Sequence, residues 1–469
     1  MTIVVDNYFL KKRCLSLFLV LTFMQSMQDV LAAEYEEEEK PIKEIIKEEG
    51  SDYKSKLMED PEVTVTKKTV REEVLPEEEP EKKVERPSGF FPGARVELKS
   101  RTGYFDRTNP GGIKQETFAT GGSLMFHSGK WKDFFTIHTE VFTSQKLYGD
   151  IDRDGAQLLR DKQKEMTVLG TAYAQLDYKQ ARLRLGRQEF RMPYINRSDS
   201  RMIPHTFEGY AMAINQEKFE AIGGYVDKMK RRNSGAFVSM SKAAGVTGGS
   251  DEGMAMLGGR IAINKNTTFS MLNLYTFNVF NIFYSELSYS IPLRENNRLK
   301  FSAQFTDQRS VGDELLATSP FQTQAWSVEG KYVKSNAIIL LAYSSVSERA
   351  NIRHPYGGYP GYISLMKSMF NRAGEQAWMA ELAYDFSKLG LEGVSMITKF
   401  ASGYNAENVT TGIAIPDQQE FDITFDYYPP AGRMFSGLWF RLRGAKRWQD
   451  GLEDTHDIRV FLNYTYAVK

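Results

Sequence analysis

The segment THDIRVFLNYTYAVK, residues 455–469, alternates apolar and polar side chains along most of its length. In an extended strand, successive side chains point to opposite faces. One face carries apolar and aromatic residues, namely Ile458, Val460, Leu462, Tyr464 and Tyr466. The other carries Asp457, Arg459, Asn463 and Thr465. A two-faced segment of this length is typical of a strand with lipid on one side and water on the other.

The same pattern recurs from residue 88 to the end of the chain, in segments of roughly ten residues separated by Gly, Asn, Asp and Pro clusters. These segments predict about eighteen strands. They lie near 93–104, 116–127, 132–145, 165–178, 181–189, 207–216, 218–228, 253–264, 267–277, 280–291, 297–308, 322–334, 337–347, 376–387, 393–403, 420–428, 436–448 and 456–468.

The predicted connections alternate between short turns and long loops, with long loops near 146–163, 190–206, 229–251, 309–321, 348–375 and 404–419. Short turns on one rim, long loops on the other and an even strand count predict an all-β fold, a transmembrane antiparallel β-barrel of about 18 strands in the outer membrane. A soluble β-sandwich is the alternative, and a propeller would show a repeat of roughly 40–50 residues that the sequence lacks. Aromatic residues make up 13% of the chain, which suits strands and interfacial girdles.

The first 33 residues resemble a secretory signal peptide. Lys11, Lys12 and Arg13 precede an apolar run over residues 15–23, and Ala32–Ala33 offers a cleavage site. The alternative is a membrane anchor, but the run is about half of the ~20 residues that a spanning helix needs. The single cysteine, Cys14, lies inside this segment, so we expect a mature chain without disulfides or thiolate ligands.

Residues 34–87 hold 19 acidic and 11 basic residues and almost no aromatic ones. This composition predicts an acidic, disordered periplasmic extension. The alternative is a short helix around Ile42, Ile45 and Ile46 that binds a partner or the cell wall. The predicted domains are therefore the signal peptide 1–33, the extension 34–87 and the barrel 88–469.

Basic residues alternate with apolar ones in GLWFRLRGAKRW, residues 437–448. If Leu438, Phe440 and Leu442 face lipid, Arg441 and Arg443 face the lumen. An Arg on the lipid face near the midplane costs about 2–4 kcal/mol. Two charges ~6.7 Å apart along a strand repel by only ~0.6 kcal/mol in water.

The same alternation places further cations in the lumen, and we expect those of the last two strands and the first to form one basic surface. The residues are Arg182, Arg184, Arg95, Lys99, Arg101 and Arg459. A row of guanidinium groups facing water attracts carboxylates. The alternative is that these cations pair with lumenal acids, namely Glu97, Asp422, Asp426 and Asp457.

Three stretches together resemble the OprD family of substrate-selective outer-membrane porins. They are LGRQEFRMPYINRSDSRMIPHTFEGYAM (185–212), FNRAGEQAWMAELAYDFSKLGLEGVSM (370–396) and GLWFRLRGAKRW. The resemblance runs through most of residues 90–469. It implies an eighteen-stranded barrel whose third and seventh extracellular loops fold inward to form a narrow eyelet beside a ladder of basic residues.

Carried over by position, the third loop spans Phe190 to Thr206 and the seventh spans Ser347 to Gly374. The resemblance implies that the third loop brings Asp199, Ser200 and Arg201 to the eyelet. The seventh loop would bring Tyr359, Asn371 and Arg372. The implied ladder comprises Arg182, Arg184, Arg441, Arg443 and Arg459, with Arg95 and Lys99 as further candidates.

Other chemistry has little support in the sequence. The five histidines show no HExxH spacing, so we expect no metal site and no cofactor. Asp199, Ser200 and His205 could suggest a hydrolase, but they lack the strand–turn–helix context of a nucleophile elbow, so we expect no enzyme. Nucleic-acid binding is not expected, because the arginines and the aromatic residues fall on opposite faces.

We therefore expect a bacterial outer-membrane channel for passive diffusion of small anionic or zwitterionic solutes that carry a carboxylate. The alternatives are a non-selective porin, an exporter of an acidic polysaccharide, or an enzyme or adhesin on a barrel. Expected partners are outer-membrane lipid and the assembly machinery during insertion. The barrel would be a monomer or a loose trimer.

Overall fold

Twenty-one strands and a short α-helix are present in the computed structural model, which describes residues 89–293, 297–316, 320–334, 336–430, 435 and 437–467. The predictions for 1–33 and 34–87 lie outside the described residues. The strands are β1 (Arg95–Thr108), β2 (Lys114–His127), β3 (Phe135–Tyr148), β4 (Met166–Tyr178), β5 (Ala181–Gln188), β6 (Arg191–Met192), β7 (Ile195–Asn196), β8 (Thr206–Asn215), β9 (Phe219–Lys230), β10 (Phe237–Ser239), β11 (Met254–Asn264), β12 (Thr267–Thr276), β13 (Phe280–Pro292), β14 (Arg298–Ser310), β15 (Gln322–Lys334), β16 (Ala337–Val346), β17 (Gln376–Asp385), β18 (Val394–Tyr404), β19 (Gln418–Tyr427), β20 (Leu438–Gln449) and β21 (Thr455–Ala467).

Eighteen of these strands form one closed antiparallel barrel, which confirms the predicted fold class. Each barrel strand pairs with the next along the chain, and the last strand, β21, pairs with β1 through Leu462 opposite Thr102. Closure satisfies the backbone hydrogen bonds of every barrel strand from its neighbours, as a hydrocarbon environment requires. The three remaining strands, β6, β7 and β10, are short pieces inside loops.

The connections on one rim are short and those on the other are long. We number the loops of the long rim in chain order and use L2 (149–165), L3 (189–205), L4 (231–253), L7 (347–375) and L8 (405–417). Long loops on outer-membrane barrels face the cell exterior, so this rim is the extracellular one. L4 contains the helix α1 (Met240–Ala244), and three-residue or four-residue 3-10 helices occur at Pro110–Gly112, Ile151–Arg153, Asp161–Gln163 and Phe386–Leu389.

The two faces of the barrel wall differ in exposure. Leu98 and Leu442 point outward and are 50% and 39% exposed, whereas Phe105 points inward and is fully buried. The apolar exposed face is the one that contacts lipid. No helix in the described part of the chain is long and apolar enough to cross a membrane.

Strand positions agree with the sequence prediction to within a few residues. The largest difference at a single bound is in β1, which ends at Thr108 where an end near 104 was predicted. β3 is displaced at both bounds and spans Phe135–Tyr148 where residues 132–145 were predicted. The pieces β6, β7, β10 and α1 were not predicted, because they are short and depend on contacts within L3 and L4.

Buried apolar side chains lie inside the barrel, where the loops pack on the inner wall. One cluster joins Tyr194 and Ile195 of L3 and Tyr356 of L7 to wall residues such as Leu274 and Phe280. L3 and L7 therefore occupy the lumen and are held there by apolar burial.

Candidate functional site

The inner faces of β20, β21 and β1 form a basic wall. Arg443 on β20 lies opposite Arg459 on β21, and Arg459 lies opposite Phe105 on β1. Arg441, two residues along β20, lies opposite Phe461. Because residues at a spacing of two share a face, both arginines of β20 enter the lumen with Arg459.

Two of these arginines are buried and ion-paired. Both the Nε and the Nη2 of Arg441 donate to the Asp426 carboxylate, at 2.7 and 2.8 Å, and the guanidinium lies 4.7 Å from the Trp439 ring. Arg459 donates to both oxygens of Asp457, at 3.1 and 2.9 Å. Arg441 is 1% exposed and Arg459 is 2% exposed. Their charges are compensated within the wall.

Other cations of the basic wall are more open to the lumen. Lys99 Nζ lies 3.1 Å from Glu97 and 3.7 Å from Glu140, and its side chain is 40% exposed. Arg95 also contacts Glu97. Arg443 is half-buried and its Nε donates to the Thr424 hydroxyl at 3.2 Å.

The predicted ladder residues of β5, Arg182 and Arg184, lie on the barrel wall away from the basic wall. The strands β2, β3 and β4 separate β5 from β1, so Arg182 and Arg184 belong to a second basic group. Arg182 pairs with Asp177 at 2.8 Å. The Nε of Arg184 donates to the Gln175 amide oxygen at 2.8 Å.

An aromatic stack supports Arg184, and the sequence reasoning missed it. The guanidinium carbon lies 4.9 Å from the centroid of the Tyr173 ring. Tyr173 in turn stacks on His138, with centroids 4.7 Å apart and an interplanar angle of 15°. The alternation in β4 gives Tyr173 the same face as Gln175, which was the available signal, but the partner on β3 depends on strand register.

The predicted eyelet residue Asp199 anchors L3 to the basic wall. Its carboxylate accepts from Arg101 at 2.5 and 3.2 Å and from Arg197 at 2.8 Å. Burial would raise the pKa of the Asp199 carboxyl, but Arg101 and Arg197 outweigh this effect and hold the pKa below its ordinary value. Asp199 is therefore an anionic anchor.

Ser200 and Arg201 continue this anchor and are both buried. Arg232 of L4 and Arg201 donate to the Ser200 hydroxyl at 2.7 and 3.2 Å. Arg201 also donates to the Ala156 carbonyl of L2 at 2.9 Å and lies over the Phe105 ring at 4.7 Å. The contacts of these residues tie L2, L3 and L4 to β1.

L3 also reaches the opposite side of the lumen. The Tyr194 hydroxyl lies 2.9 Å from the Thr306 hydroxyl on β14, and its ring packs edge-to-face on Tyr284 of β13. Since Asp199 contacts β1, and β13 is nine strands from β1 in either direction, L3 spans the channel. A loop that contacts opposing walls narrows the passage.

L7 supplies the other predicted eyelet residues. Tyr359 packs edge-to-face on Tyr194 of L3 at 6.3 Å. Asn371 and Arg372 lie at the base of L7, where Asn371 donates to the Ile352 carbonyl at 2.8 Å and Arg372 pairs with Glu375 at 2.7 Å. The latter two side chains brace the loop.

The second half of L7 contacts β19 and β1. The backbone N–H groups of Met366 and Lys367 donate to Asp422 and Glu420, at 2.9 and 2.7 Å. The Lys367 ammonium donates to the Thr108 carbonyl on β1 at 2.9 Å. Burial lowers the pKa of Lys367 to about 8, because the charged form loses hydration.

L3 and L7 are joined directly through Asn196. Its Nδ2 donates to the Gly358 carbonyl at 3.2 Å, and its Oδ1 accepts from the Gly358 N–H at 2.8 Å. A Cβ on the neighbouring Gly357 would lie 2.7 Å from the Asn196 backbone nitrogen, so only glycine allows this approach. The two loops thus meet as one constriction.

The arrangement is a barrel lumen with cations on its wall and loops across it. No group of three or more His, Cys, Asp or Glu side chains within the described ranges is placed to hold a metal ion. The chemistry on offer is non-covalent recognition of anions by guanidinium and ammonium groups.

Comparisons with known proteins agree with this architecture. Residues 88–468 match the model of the family described as "outer membrane porin, OprD family". Porin D of Pseudomonas aeruginosa is 22% identical over 344 residues, covering 67% of this chain and 74% of that protein.

Solved structures share the fold. The crystal structure of Pseudomonas aeruginosa OccK9 (OpdG) has a TM-score of 0.73 and 24% identity, covering 81% of this chain and all of the other. Pseudomonas aeruginosa OpdK, solved with vanillate, has a TM-score of 0.72 and 21% identity, and the match again covers 81% of this chain and all of the other. Acinetobacter baumannii OccAB1 has a TM-score of 0.72 and 18% identity, covering 83% of this chain and all of that one. The chain belongs to the OprD family of outer membrane porins, and its barrel lies in the bacterial outer membrane.

Proposed function

We propose that this porin selects small solutes bearing a carboxylate and passes them by diffusion along its lumenal cations. The solute enters through the constriction of L3 and L7. It then exchanges its carboxylate between positively charged side chains on the way to the periplasm. No energy source or cofactor takes part.

The observation that carries this proposal is the environment of Arg184. Its Nε is held by Gln175 at 2.8 Å and its plane rests on Tyr173, which are both neutral groups. In the described part of the chain, no hydrogen-bond acceptor engages its terminal nitrogens Nη1 and Nη2. A planar guanidinium that is fixed in place and keeps both terminal nitrogens available suits bidentate binding of a carboxylate.

The basic wall, which β2, β3 and β4 separate from Arg184, supports the same proposal. Lys99 lies 3.1 Å from Glu97, yet its side chain is 40% exposed. Arg441 and Arg459 are ion-paired and buried, so their role is to shape the wall. The alternative in which all the cations pair with lumenal acids accounts for Arg441 and Arg459 but leaves Arg184 unexplained.

The inward loops favour a selective channel over a wide one. L3 contacts both β1 and β14, so a solute must pass close to charged side chains. The structurally similar OpdK was solved with vanillate, a carboxylate anion, and a solute of that charge fits the cations described above.

The test compares Arg184→Gln with Arg182→Gln in proteoliposomes. Both changes remove one positive charge from β5, but Arg182 is already paired with Asp177. We expect Arg184→Gln to reduce the rate of carboxylate entry about tenfold or more, since a charge-assisted hydrogen bond contributes about 1.5–3 kcal/mol. Arg182→Gln should have a much smaller effect. Equal effects of the two variants, or none, would refute the role of Arg184.

A further inference from the structure

Exposed aromatic residues mark two neighbouring turns on the short, periplasmic rim. The first turn joins β2 to β3 over residues 128–134, and the second joins β4 to β5. Because β3 pairs with β4 through Phe135 opposite Leu176, the two turns lie side by side. Trp131 of the first turn is 51% exposed, and Tyr178, the last residue of β4, is 72% exposed. Two large rings are thus uncovered on one sector of the rim.

Both rings lie on the outer side of the barrel. Tyr178 is three residues beyond the lumenal Gln175, and an odd spacing along a strand reverses the face. Trp131 packs edge-to-face on Phe135, with ring centroids 6.1 Å apart, and Phe135 is three residues before the lumenal His138. The rings therefore lie where the apolar outer face meets the periplasm, the level at which Trp and Tyr contact lipid headgroups.

A lysine lies over each ring. The Lys132 ammonium is 5.0 Å from the centroid of the Trp131 ring, and the Lys179 ammonium is 5.4 Å from that of Tyr178. Both lysines are exposed, and within the described ranges neither of them forms an ion pair with a carboxylate. An aromatic face attracts an ammonium group and restricts its position. The sector thus presents two positive charges that are held in place and remain accessible.

The backbone conformation of both lysines is unusual for this residue type. Lys132 has a φ of 49° and Lys179 a φ of 51°, in the left-handed region that glycine and asparagine adopt most readily. Either of those residues would form the turns with less strain. Lysine at both positions therefore indicates that the side chain has a use beyond closing the turn.

The charge of the two turns points to an anionic ligand. They carry Lys130, Lys132 and Lys179 against one carboxylate, Asp133, a formal charge of +2. We infer that this sector of the rim binds the phosphate of an anionic phospholipid in the periplasmic leaflet. Basic groups at a membrane surface attract such lipids. A zwitterionic headgroup fits less well, because its own ammonium group is repelled by the lysines.

The outward direction of the rings favours a lipid over the acidic segment 34–87 as the occupant. That segment holds 19 acidic residues, so its charge is also complementary to the lysines. An anion that contacts the lysines while the rings are covered must lie at the membrane surface, which is the position of a lipid phosphate. The site is independent of carboxylate recognition at Arg184, which lies on the lumenal face.

The experiment is native mass spectrometry of the full chain in detergent, titrated with phosphatidylglycerol or phosphatidylethanolamine at pH 7. The test variant is Lys132→Asn with Lys179→Asn, since asparagine accommodates the left-handed backbone and removes both charges. Each lysine contributes about fivefold to the binding of anionic lipid. We expect the Kd of the first phosphatidylglycerol to rise about tenfold or more, and binding of phosphatidylethanolamine to stay unchanged.

The matched control is Lys265→Asn with Lys334→Asn, which removes the same charge from two other turns of the periplasmic rim. Its Kd for phosphatidylglycerol should stay within about twofold of the native value. Folding of every variant is checked by the heat-dependent shift of the barrel on a gel. If the test variant fails to fold, Lys179→Asn alone decides, with an expected loss of about fivefold.

Three results would overturn the lipid site. The first is equal affinity of the native chain for the two lipids. The second is an equal loss in the test and control variants, which would assign binding to the general charge of the rim. The third is a carbodiimide cross-link from Lys179 to a carboxylate in 34–87 that persists in vesicles of phosphatidylglycerol, which would make the acidic segment the occupant.

Discussion

Arg441 lies in the lumen, as its sequence pattern predicts, and is held there by a buried ion pair. Its alternation with Leu438, Phe440 and Leu442 placed it correctly in the lumen. The structure gives it a bidentate pair with Asp426, and both side chains are buried. A buried pair of this geometry is sensitive to loss of one partner, because the remaining charge is left without compensation.

Replacing Arg441 by Ala should therefore destabilise the barrel by about 3–5 kcal/mol, since Asp426 would remain as an uncompensated buried carboxylate. The measurement is the free energy of unfolding in urea from lipid vesicles. The double variant Arg441→Ala/Asp426→Ala is the control and should recover much of the loss. A double variant as unstable as the single one would show that the pair is not the cause.

Tyr173 allows a test of how the Arg184 guanidinium is oriented. Tyr173→Leu keeps apolar volume but removes the aromatic face beneath Arg184, so the guanidinium loses its fixed orientation. We expect weaker carboxylate binding, about threefold to tenfold for an interaction of ~1 kcal/mol, in single-channel block by benzoate. Tyr173→Phe should retain native block. A native response from the Leu variant would exclude a positioning role.

For these residues, the sequence predicts which face of the strand a side chain occupies but not which residue it contacts. The face of each lumenal cation follows from period-two alternation, which is a local property. Its partner does not, because the choice of Asp426 for Arg441 or Tyr173 for Arg184 depends on the register between strands. Two cations with the same sequence pattern consequently have different surroundings.

Among the elements, L3 and L7 determine the width of the passage. The side-chain hydrogen bonds of their junction run between the amide of Asn196 and the backbone of Gly358, beside the contact of Tyr194 with Tyr359. Asn196→Ala removes both hydrogen bonds, so the loops should separate and the single-channel conductance in KCl should rise. Asn371→Ala, at the base of L7, is the matched control and should leave the conductance nearer the native value. Unchanged conductance in Asn196→Ala would contradict a joint constriction.

Lys367 should make the anion selectivity of the channel dependent on pH. Its pKa of about 8 lies below the ordinary value for lysine, so its charge is present at pH 7 and is lost as the pH rises through 8. We expect anion selectivity, measured as the reversal potential in a KCl gradient, to decrease between pH 7 and pH 9. Lys367→Gln should remove this step, whereas Lys132→Gln on the periplasmic turn should keep it. A step that persists in Lys367→Gln would assign it to another group.

At the level of elements, strands were predictable and loop contacts were not. Strand bounds follow from alternation and turn residues, and they agree within about four residues, with the largest difference at the end of β1. The inward course of L3 and L7 was available only through the family resemblance. Their contacts, such as Tyr194 with Thr306 or Lys367 with Thr108, join residues over a hundred positions apart and leave no local signal.

The whole molecule combines a lipid-facing apolar exterior with a wet interior that is basic on β20, β21, β1 and β5. Closure of β21 on β1 brings the two ends of the described chain together and creates the basic wall from strands far apart in sequence. The fold was predictable because the environment imposes alternation on every strand. The split of the cations into two groups required the closed structure.

We propose that the carboxylate, and not size alone, decides which solutes pass. The most direct measurement is the rate at which native protein in proteoliposomes admits propionate and propionamide, which have nearly the same shape and differ in charge. We predict faster entry of propionate at pH 7, with the difference abolished in Arg184→Gln. Equal rates for the two solutes in the native channel would show that the charge does not decide their passage.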